Sequence, residues 1–530
     1  MGTGGCALTM SQSLIHKLAQ AAEAYASLPA ILTDTCTLTH AELGLTSQKI
    51  AHGLQHLGIA KGDRIALYAR NGIPFVEAYL SIIKAGAIVV PINLLIHPDE
   101  ILYILKDSGA RALIVEPELI ETIARIAELS SLSWIISTGS ATDLARTNLD
   151  TLKTEKAHHD PVEIIPEEDL AAILYTSGTT GYPKGAMLTH ANLVANTQSV
   201  HEAMCWREGL DRVLVVLPMF HAFAATVGLL TPLTHGSALI PMLKFEPEAV
   251  ADCIQRHQAT LFLGVPSMFT VLLKLKESKI PAFQSLRFCI SGGAALPVAI
   301  LESFKARFGL SIYEGDGPTE CSPVTCVNPI GGIIKPGTVG LPVPNVEMRI
   351  LDEEGETCPI DCVGEIAVRG PNVMKGYWNR PLETQEVFRG DWLLTGDLGT
   401  CDADGYFSIV DRKKDLIIVN GMNVYPRMIE EIIHQCSGVK EVAVVGELND
   451  RHGEIPVAYV AVDETLQDPE AILKDHCKAH LGRHQIPKRF VMLETLPKNA
   501  TGKILKRELR KHGEVERGII SQPVQASGER

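Results

Sequence analysis

At 530 residues the chain is too long for one ordinary core, so two or more domains are expected. Hydrophobic content of 46% and charged content of 21% are those of a globular protein, not of a disordered or fibrous one. A net charge of −14 argues against bulk nucleic-acid binding, which needs a basic footprint.

The twelve cysteines include no C-x-x-C pair. The closest pairs, Cys321/Cys326 and Cys358/Cys362, lack a matching half-site, which favours reduced thiols in a cytoplasmic protein over a metal or disulfide framework. Residues 1–10 lack a basic segment followed by an apolar one, so no secretory signal is expected. The Met1-Gly2 start fails as a myristoylation motif, because Cys6 stands where Ser or Thr is needed. Apolar tracts at 79–96 and 226–243 are broken by Lys84, Pro91 and Asn93, and by Pro232, His235 and Pro241. Neither reads as a transmembrane helix, although contact with a membrane surface stays compatible with the sequence.

Along the chain, amphipathic periodicity predicts helices over 11–28, 41–57, 75–85 and 248–257. Short β-branched runs predict strands over 64–68, 111–115, 134–137 and 213–217. This alternation implies an α/β architecture of stacked sheets with covering helices. Past about residue 340 the texture changes to short strands at 347–351, 364–369 and 406–410 between Gly and Pro turns, as in a distorted β-barrel. A polar run, 411–415, precedes a compact α+β segment with strands at 441–445, 457–462 and 489–493 and a helix at 469–481. The expected division is a large domain at 1–413, a small one at 414–512 and a polar, disordered tail at 513–530.

One stretch narrows the function most. Residues 175–185 read Y-T-S-G-T-T-G-Y-P-K-G, directly after the apolar run 171–174. Glycines let backbone N–H groups approach an anion, the hydroxyls of Thr176, Ser177, Thr179 and Thr180 can donate to its oxygens, and Lys184 supplies charge. The stretch is a phosphate loop in chemical terms. Because Lys184 is followed by Gly185, it lacks the G-x-x-x-x-G-K-[ST] spacing, and it also lacks G-x-G-x-x-G. A plain turn-rich hairpin is the bland alternative.

Five further segments carry polar groups. His221, after the strand at 213–217, is placed at a strand end. The turn 313–320 ends in Thr319 and Glu320, an oxygen pair suited to hydrated Mg²⁺ beside phosphates. Asp397 in Thr395-Gly396-Asp397 is placed at a strand end, where it could accept two hydrogen bonds from vicinal ribose hydroxyls. Arg412 lies in the charged run 411–415, and Lys503 sits on a Gly-flexed loop near Lys506, Arg507 and Arg510. Singly, each also reads as a structural histidine, a turn, a solvated charge run or a basic tail.

In this order and spacing the segments resemble the adenylate-forming superfamily of acyl-CoA synthetases, peptide-synthetase adenylation domains and firefly-type luciferases. The resemblance spans about residues 15–510, and within it the chain looks most like bacterial medium- to long-chain fatty acyl-CoA ligases. It implies a large N-terminal domain and a small mobile C-terminal one, with ATP, Mg²⁺ and coenzyme A as reactants. Thr176, Ser177, Gly178, Thr179, Thr180, Gly181 and Lys184 would hold the β- and γ-phosphates, and Thr319 would contact the α-phosphate. Thr180 and Glu320 would serve Mg²⁺, Asp397 and Arg412 would bind the ribose, and Gly293, Gly315 and Asp316 would complete the binding set. Lys503 would bridge the acid's carboxylate and the α-phosphate, with His221 beside that carboxylate. Lys414 falls at the family's hinge and Gly421 at its pantetheine tunnel. The chain departs from the family at Asp316, where a tyrosine is common, and at Met428, where a glutamate is usual.

The segment after His221, with Ala222, Ala224, Ala225 and Gly228, is expected to wall the acid pocket together with 291–295 and Gly315. Small apolar residues there favour a fatty acid, with an aryl acid as runner-up. A carrier protein as acyl acceptor, a luciferase-type oxygenation, a non-catalytic sensor and a homodimer are the other compatible readings.

Overall fold

The computed structural model describes residues 12–126, 132–154, 162–176, 182–449, 451–463, 466, 468–498 and 504–516. The expected Lys503 and the loop residues Ser177, Gly178, Thr179, Thr180 and Gly181 lie outside them. The architecture is α/β, in two compact units. Unit 1 comprises 1–349, 367–395 and 403–407, and unit 2 comprises 350–366, 396–402 and 408–530.

Unit 1 is built on two large sheets. The first has eight strands, in the order Gly376–Tyr377, Lys184–Thr189, Leu170–Thr176, Ile88–Pro91, Arg64–Tyr68, Ala112–Val115, Trp134–Ser137 and Thr147–Asn148. From Leu170–Thr176 onward its neighbours are parallel, whereas the Lys184–Thr189 and Gly376–Tyr377 edge is antiparallel. The second has nine strands, with five parallel pairings running from Pro29–Leu32 through Ala238–Pro241, Arg212–Val215, Leu261–Gly264 and Phe288–Ser291 to Ile312–Asp316. Parallel strands are covered on both faces, which is why these runs are almost wholly apolar. In the nine-stranded sheet Leu214, Phe262, Cys289 and Ile312 pack against helix residues Val250, Ile254, Phe269 and Phe304, all buried.

Helix ends follow local rules. Helix His40–His56 begins with a capping box, in which Thr39 Oγ1 accepts from Glu42 N and the Glu42 carboxylate accepts from Thr39 N. Helix His190–Ala203 uses Thr189 and Asn192 in the same way. Among the described residues no helix is long and apolar enough to cross a membrane.

Unit 2 holds a five-stranded sheet dominated by the long hairpin Val439–Asn449 and Gly453–Val462, with Arg489–Met492 parallel to its second strand. One face packs Ile417, Val444 and Val460 against Ile429, Ile433 and Leu473 of the helices Pro426–His434 and Pro469–His480. A further five-stranded sheet, the half-barrel read in the sequence as a distorted barrel, comprises Glu347–Leu351, Gly364–Arg369, Trp392–Cys401, Phe388–Arg389 and Phe407–Arg412, and its residues are divided between the two units.

One sequence expectation is corrected. Helix Lys506–Glu516 continues past Gly513, so 513–516 is helix rather than tail, and residues 517–530 lie outside the described set. The alternative reading of Lys506 and Arg510 as a basic tail is disfavoured, because both are held in ion pairs. Lys506 pairs with Glu430 at 2.8 Å and Arg510 with Asp415 at 2.6 Å.

Candidate active site

The expected phosphate loop is flanked by two described strands. Strands Leu170–Thr176 and Lys184–Thr189 run antiparallel, with Thr176 directly opposite Lys184. Side chains pin this strand pair. The Tyr175 hydroxyl donates to Asp107 at 2.7 Å, and Arg380 donates to the other oxygen of Asp107 at 2.8 Å. Tyr103 donates to the Pro183 carbonyl at 3.2 Å and stacks on Tyr182 with centroids 4.5 Å apart. Burial, then the Asp107 hydrogen bond, push the Tyr175 phenol upward, so it stays a donor.

Glu320 lies in the single 3-10 turn Thr319–Cys321, just after strand Ile312–Asp316. Gly317 makes that turn possible, because a Cβ there would stand 1.7 Å from the Pro323 carbonyl oxygen. The Asp316 carbonyl accepts from Thr325 N and Oγ1, both at 3.0 Å, which fixes the strand end. Glu320 Oε1 accepts from the Tyr377 hydroxyl at 2.8 Å, and Lys184 Nζ stands 5.3 Å from the centroid of the same ring. Thus Lys184 and Glu320, far apart in sequence, converge on Tyr377. Among the described residues no group of three or more His, Cys, Asp and Glu could cage a metal. A lone carboxylate suits Mg²⁺, which retains waters and substrate phosphates rather than needing a protein cage. Thr319 and Glu320 therefore fit that ion by donor chemistry.

His221 does not sit at a strand end. The strand stops at Val215, and His221 opens a helical segment six residues later. Its carbonyl accepts from Ala225 N at 2.9 Å, and its Nδ1 accepts from Phe223 N at 3.4 Å. Asn71 holds the intervening chain: its amide donates to the carbonyls of Leu217 at 2.9 Å and Met242 at 3.1 Å, and its Oδ1 accepts from Met219 N at 2.8 Å. The helix then widens into a π-helix, Ala224–Leu230, buried throughout. Gly228 leaves no volume for substrate, since a Cβ there would meet Val215 at 2.9 Å. Phe223 does reach the other expected pocket segments. A Cβ at Gly292 would lie 3.2 Å from its ring and 3.5 Å from the Gly315 carbonyl oxygen. Gly293 follows with φ +77°, a left-handed backbone that favours glycine.

In unit 2, Asp397 is buried and Arg412 Nε lies 2.6 Å from its Oδ1. Asp397 is inside strand Trp392–Cys401, not at its end. The Thr-Gly-Asp turn signal is overridden by the strand, and Gly396 within it has φ +74°, a left-handed backbone that favours glycine. Gly396 N donates to Glu365 Oε1 at 3.1 Å, and Lys413 Nζ to Glu365 Oε2 at 2.8 Å, so Glu365 ties the Asp397 and Arg412 segments together. Lys414 lies in the turn Lys413–Asp415, its ammonium pushed downward by burial and then by Arg412. Gly421 and Asn420 have φ +77° and +51°, a two-residue Asn-Gly hairpin between Ile417–Val419 and Met422–Val424.

Sequence reasoning missed Tyr377, Glu365 and Asn71. Tyr377 left one faint signal, the aromatic pair Tyr377-Trp378 in a segment otherwise rich in Gly, Pro and Asn.

Comparison with known proteins identifies the family. Residues 18–378 match the AMP-binding enzyme family, and residues 428–503 match the AMP-binding enzyme C-terminal domain. A long-chain-fatty-acid–CoA ligase of Bacillus subtilis (strain 168) is 36% identical, covering 89% of each chain. A feruloyl-CoA synthase of an Amycolatopsis species is also 36% identical, over 89% of this chain and 94% of its own. The crystal structure of ATP-bound MatB from Rhodopseudomonas palustris superposes with a TM-score of 0.87 at 31% identity, covering 94% of this chain and 99% of its own. The chain belongs to the family of AMP-binding enzymes, as an AMP-forming acyl-CoA ligase that works through an acyl-adenylate.

Proposed function

We propose that the acid activated is apolar, a medium- or long-chain fatty acid. The observation that carries this reading is the convergence of Phe223, Gly292 and Gly315, with Ala222, Ala224 and Ala225 alongside Phe223. These segments present apolar or hydrogen side chains, which would exclude water from an alkyl chain but offer little to a charged one. Phe223 would also suit an aryl acid, in keeping with the feruloyl-CoA synthase relative, and that is the second reading.

A carboxylate is a poor acyl donor because oxide is a bad leaving group. In the first step a carboxylate oxygen attacks the α-phosphorus of ATP, an O–P bond forms, and pyrophosphate departs. In the second the thiol of CoA attacks the acyl carbon, the C–S bond forms, the C–O bond to AMP breaks, and the thiol proton is released. Both steps crowd negative charge, so the residues act by positioning and electrostatics.

Thr176 and Lys184, with residues 177–181, are assigned to the β- and γ-phosphates, and Thr319 to the α-phosphate. Glu320 would hold Mg²⁺, which supplies charge neutralisation to the phosphates when bound. Asp397 and Arg412 are assigned to the ribose, His221 to the acid's carboxylate and Gly421 to the pantetheine arm. Lys503 is assigned to adenylation alone, with Lys414 as the hinge at which the small C-terminal domain begins.

The test is kcat/KM for CoA-thioester formation with linear acids of six to sixteen carbons, beside benzoate and ferulate. A maximum among the linear acids supports the reading, and a preference for the aryl acids overturns it.

A further inference from the structure

Tyr377 belongs to none of the motifs assigned to the chemistry, yet the side chains of two of them meet on it. Its hydroxyl donates to Glu320 Oε1 at 2.8 Å, and Lys184 Nζ stands 5.3 Å from its ring centroid. The backbone around it is bonded to both motifs. Trp378 N donates to the Gly185 carbonyl at 2.8 Å, Lys375 N to that of Met187 at 3.0 Å, and Met374 N to that of Glu320 at 2.8 Å. Tyr377 itself pairs with Ala186 in the sheet, and its N–H donates to Thr384 Oγ1 at 2.9 Å. A shift of this short strand would move the Lys184 strand and the Glu320 turn together.

The chemistry of each contact suits a waiting site. A carboxylate has about four lone-pair positions, so one phenol bond fixes its orientation and leaves capacity for a metal. A ring face attracts an ammonium without neutralising it, unlike a carboxylate, and leaves its N–H donors for phosphate.

We propose that Tyr377 is a positioning residue for adenylation, presenting the Glu320 carboxylate and the Lys184 ammonium to the metal–triphosphate as one unit. This rests on the roles given above to Glu320 and Lys184.

The test compares full-length Tyr377→Phe, which keeps the ring and removes the hydroxyl, with Tyr377→Leu, which removes both, and with Glu320→Gln as reference. ATP binding is measured by calorimetry with and without Mg²⁺, and Mn²⁺ binding to the ATP complex by electron paramagnetic resonance. Thioester formation is measured separately from supplied dodecanoyl-AMP and CoA. For Tyr377→Phe, metal-dependent ATP binding should weaken about tenfold while metal-free binding changes less than about twofold, the loss of one charge-assisted hydrogen bond. Tyr377→Leu should weaken both, and neither variant should slow thioester formation from the adenylate more than about twofold. If Glu320→Gln leaves metal-dependent binding intact, the assignment of Glu320 itself fails. If Glu320→Gln loses it while Tyr377→Phe matches the parent, the positioning role of Tyr377 is overturned. A Tyr377→Phe variant that loses both half-reactions with a lowered melting temperature makes the residue structural, and also overturns it.

Discussion

Asp397 and Arg412 are joined by a 2.6 Å ion pair in which the carboxylate is buried and the guanidinium is partly exposed. Arg412 therefore orients Asp397 while Glu365 fastens the strands on which both ride. If Asp397 receives ribose hydroxyls, Asp397→Asn should weaken ATP binding by about 1.5–3 kcal/mol, about tenfold to a hundredfold, the value of hydrogen bonds to a charged group. Arg412→Lys should also weaken binding, since an ammonium cannot reproduce the guanidinium fork. Calorimetric titration with ATP checks both, and unchanged affinity in Asp397→Asn would remove the ribose role.

A buried carboxylate also holds the root of the strand that leads to His221. Asp211 is fully buried and accepts from Arg287 at 2.6 Å, Thr260 Oγ1 at 2.9 Å and Arg207 N at 2.6 Å. Removing a buried partner leaves uncompensated charge and costs about 3–5 kcal/mol, and partial exposure of Arg207 and Arg287 places Asp211→Ala at the lower end. Urea denaturation of the variant should show an earlier transition for unit 1.

Stability should fall as pH drops below neutral. Burial pushes the His190 imidazole down to about 4, offset in part by Asp169, and burial pushes His235 to about 4 as well. Both folded values lie below the unfolded value of about 6.5. The unfolded chain therefore binds more protons, so this stability is full above about 6.5 and is lost as pH falls toward 4. Each histidine contributes a slope of up to about 1.4 kcal/mol per pH unit. His190→Leu, which cannot titrate, should make the melting temperature less dependent on pH between 6.5 and 4.5, with His235 sustaining the remainder. An unaltered slope would mean that His190 is already protonated when folded.

What could be read from the sequence follows from the range of the forces involved. Periodic apolar faces gave the helices at His40–His56 and Pro247–His257 within a residue, because burial and local caps act over short spans. Residues 175–185, Thr319-Glu320 and the Arg412 run are legible as motifs because each gathers its polar groups within a few residues. Tyr377, Glu365 and Asn71 are not, since each acts on partners brought near only by the sheets. Asp397 was misplaced at a strand end because Thr-Gly-Asp has turn chemistry, which long-range pairing outweighs.

Lys503 supplies a prediction that separates the two half-reactions. Lys503→Ala should abolish pyrophosphate release from ATP and dodecanoate, yet largely spare dodecanoyl-CoA formation from supplied dodecanoyl-AMP. Loss of stabilised transition-state charge commonly costs about a hundredfold to a thousandfold. Equal loss in both half-reactions would contradict a role confined to adenylation.

The proposed function turns on activation of an apolar acid as its adenylate before CoA is acylated. The most direct measurement is rapid quench of the enzyme with ATP, Mg²⁺ and dodecanoate, first without CoA and then with CoA added, with the products resolved by mass. Dodecanoyl-AMP and pyrophosphate should form in the first phase, and that adenylate should then convert to dodecanoyl-CoA and AMP. Dodecanoate that yields no adenylate, or an adenylate that CoA does not consume, would contradict it.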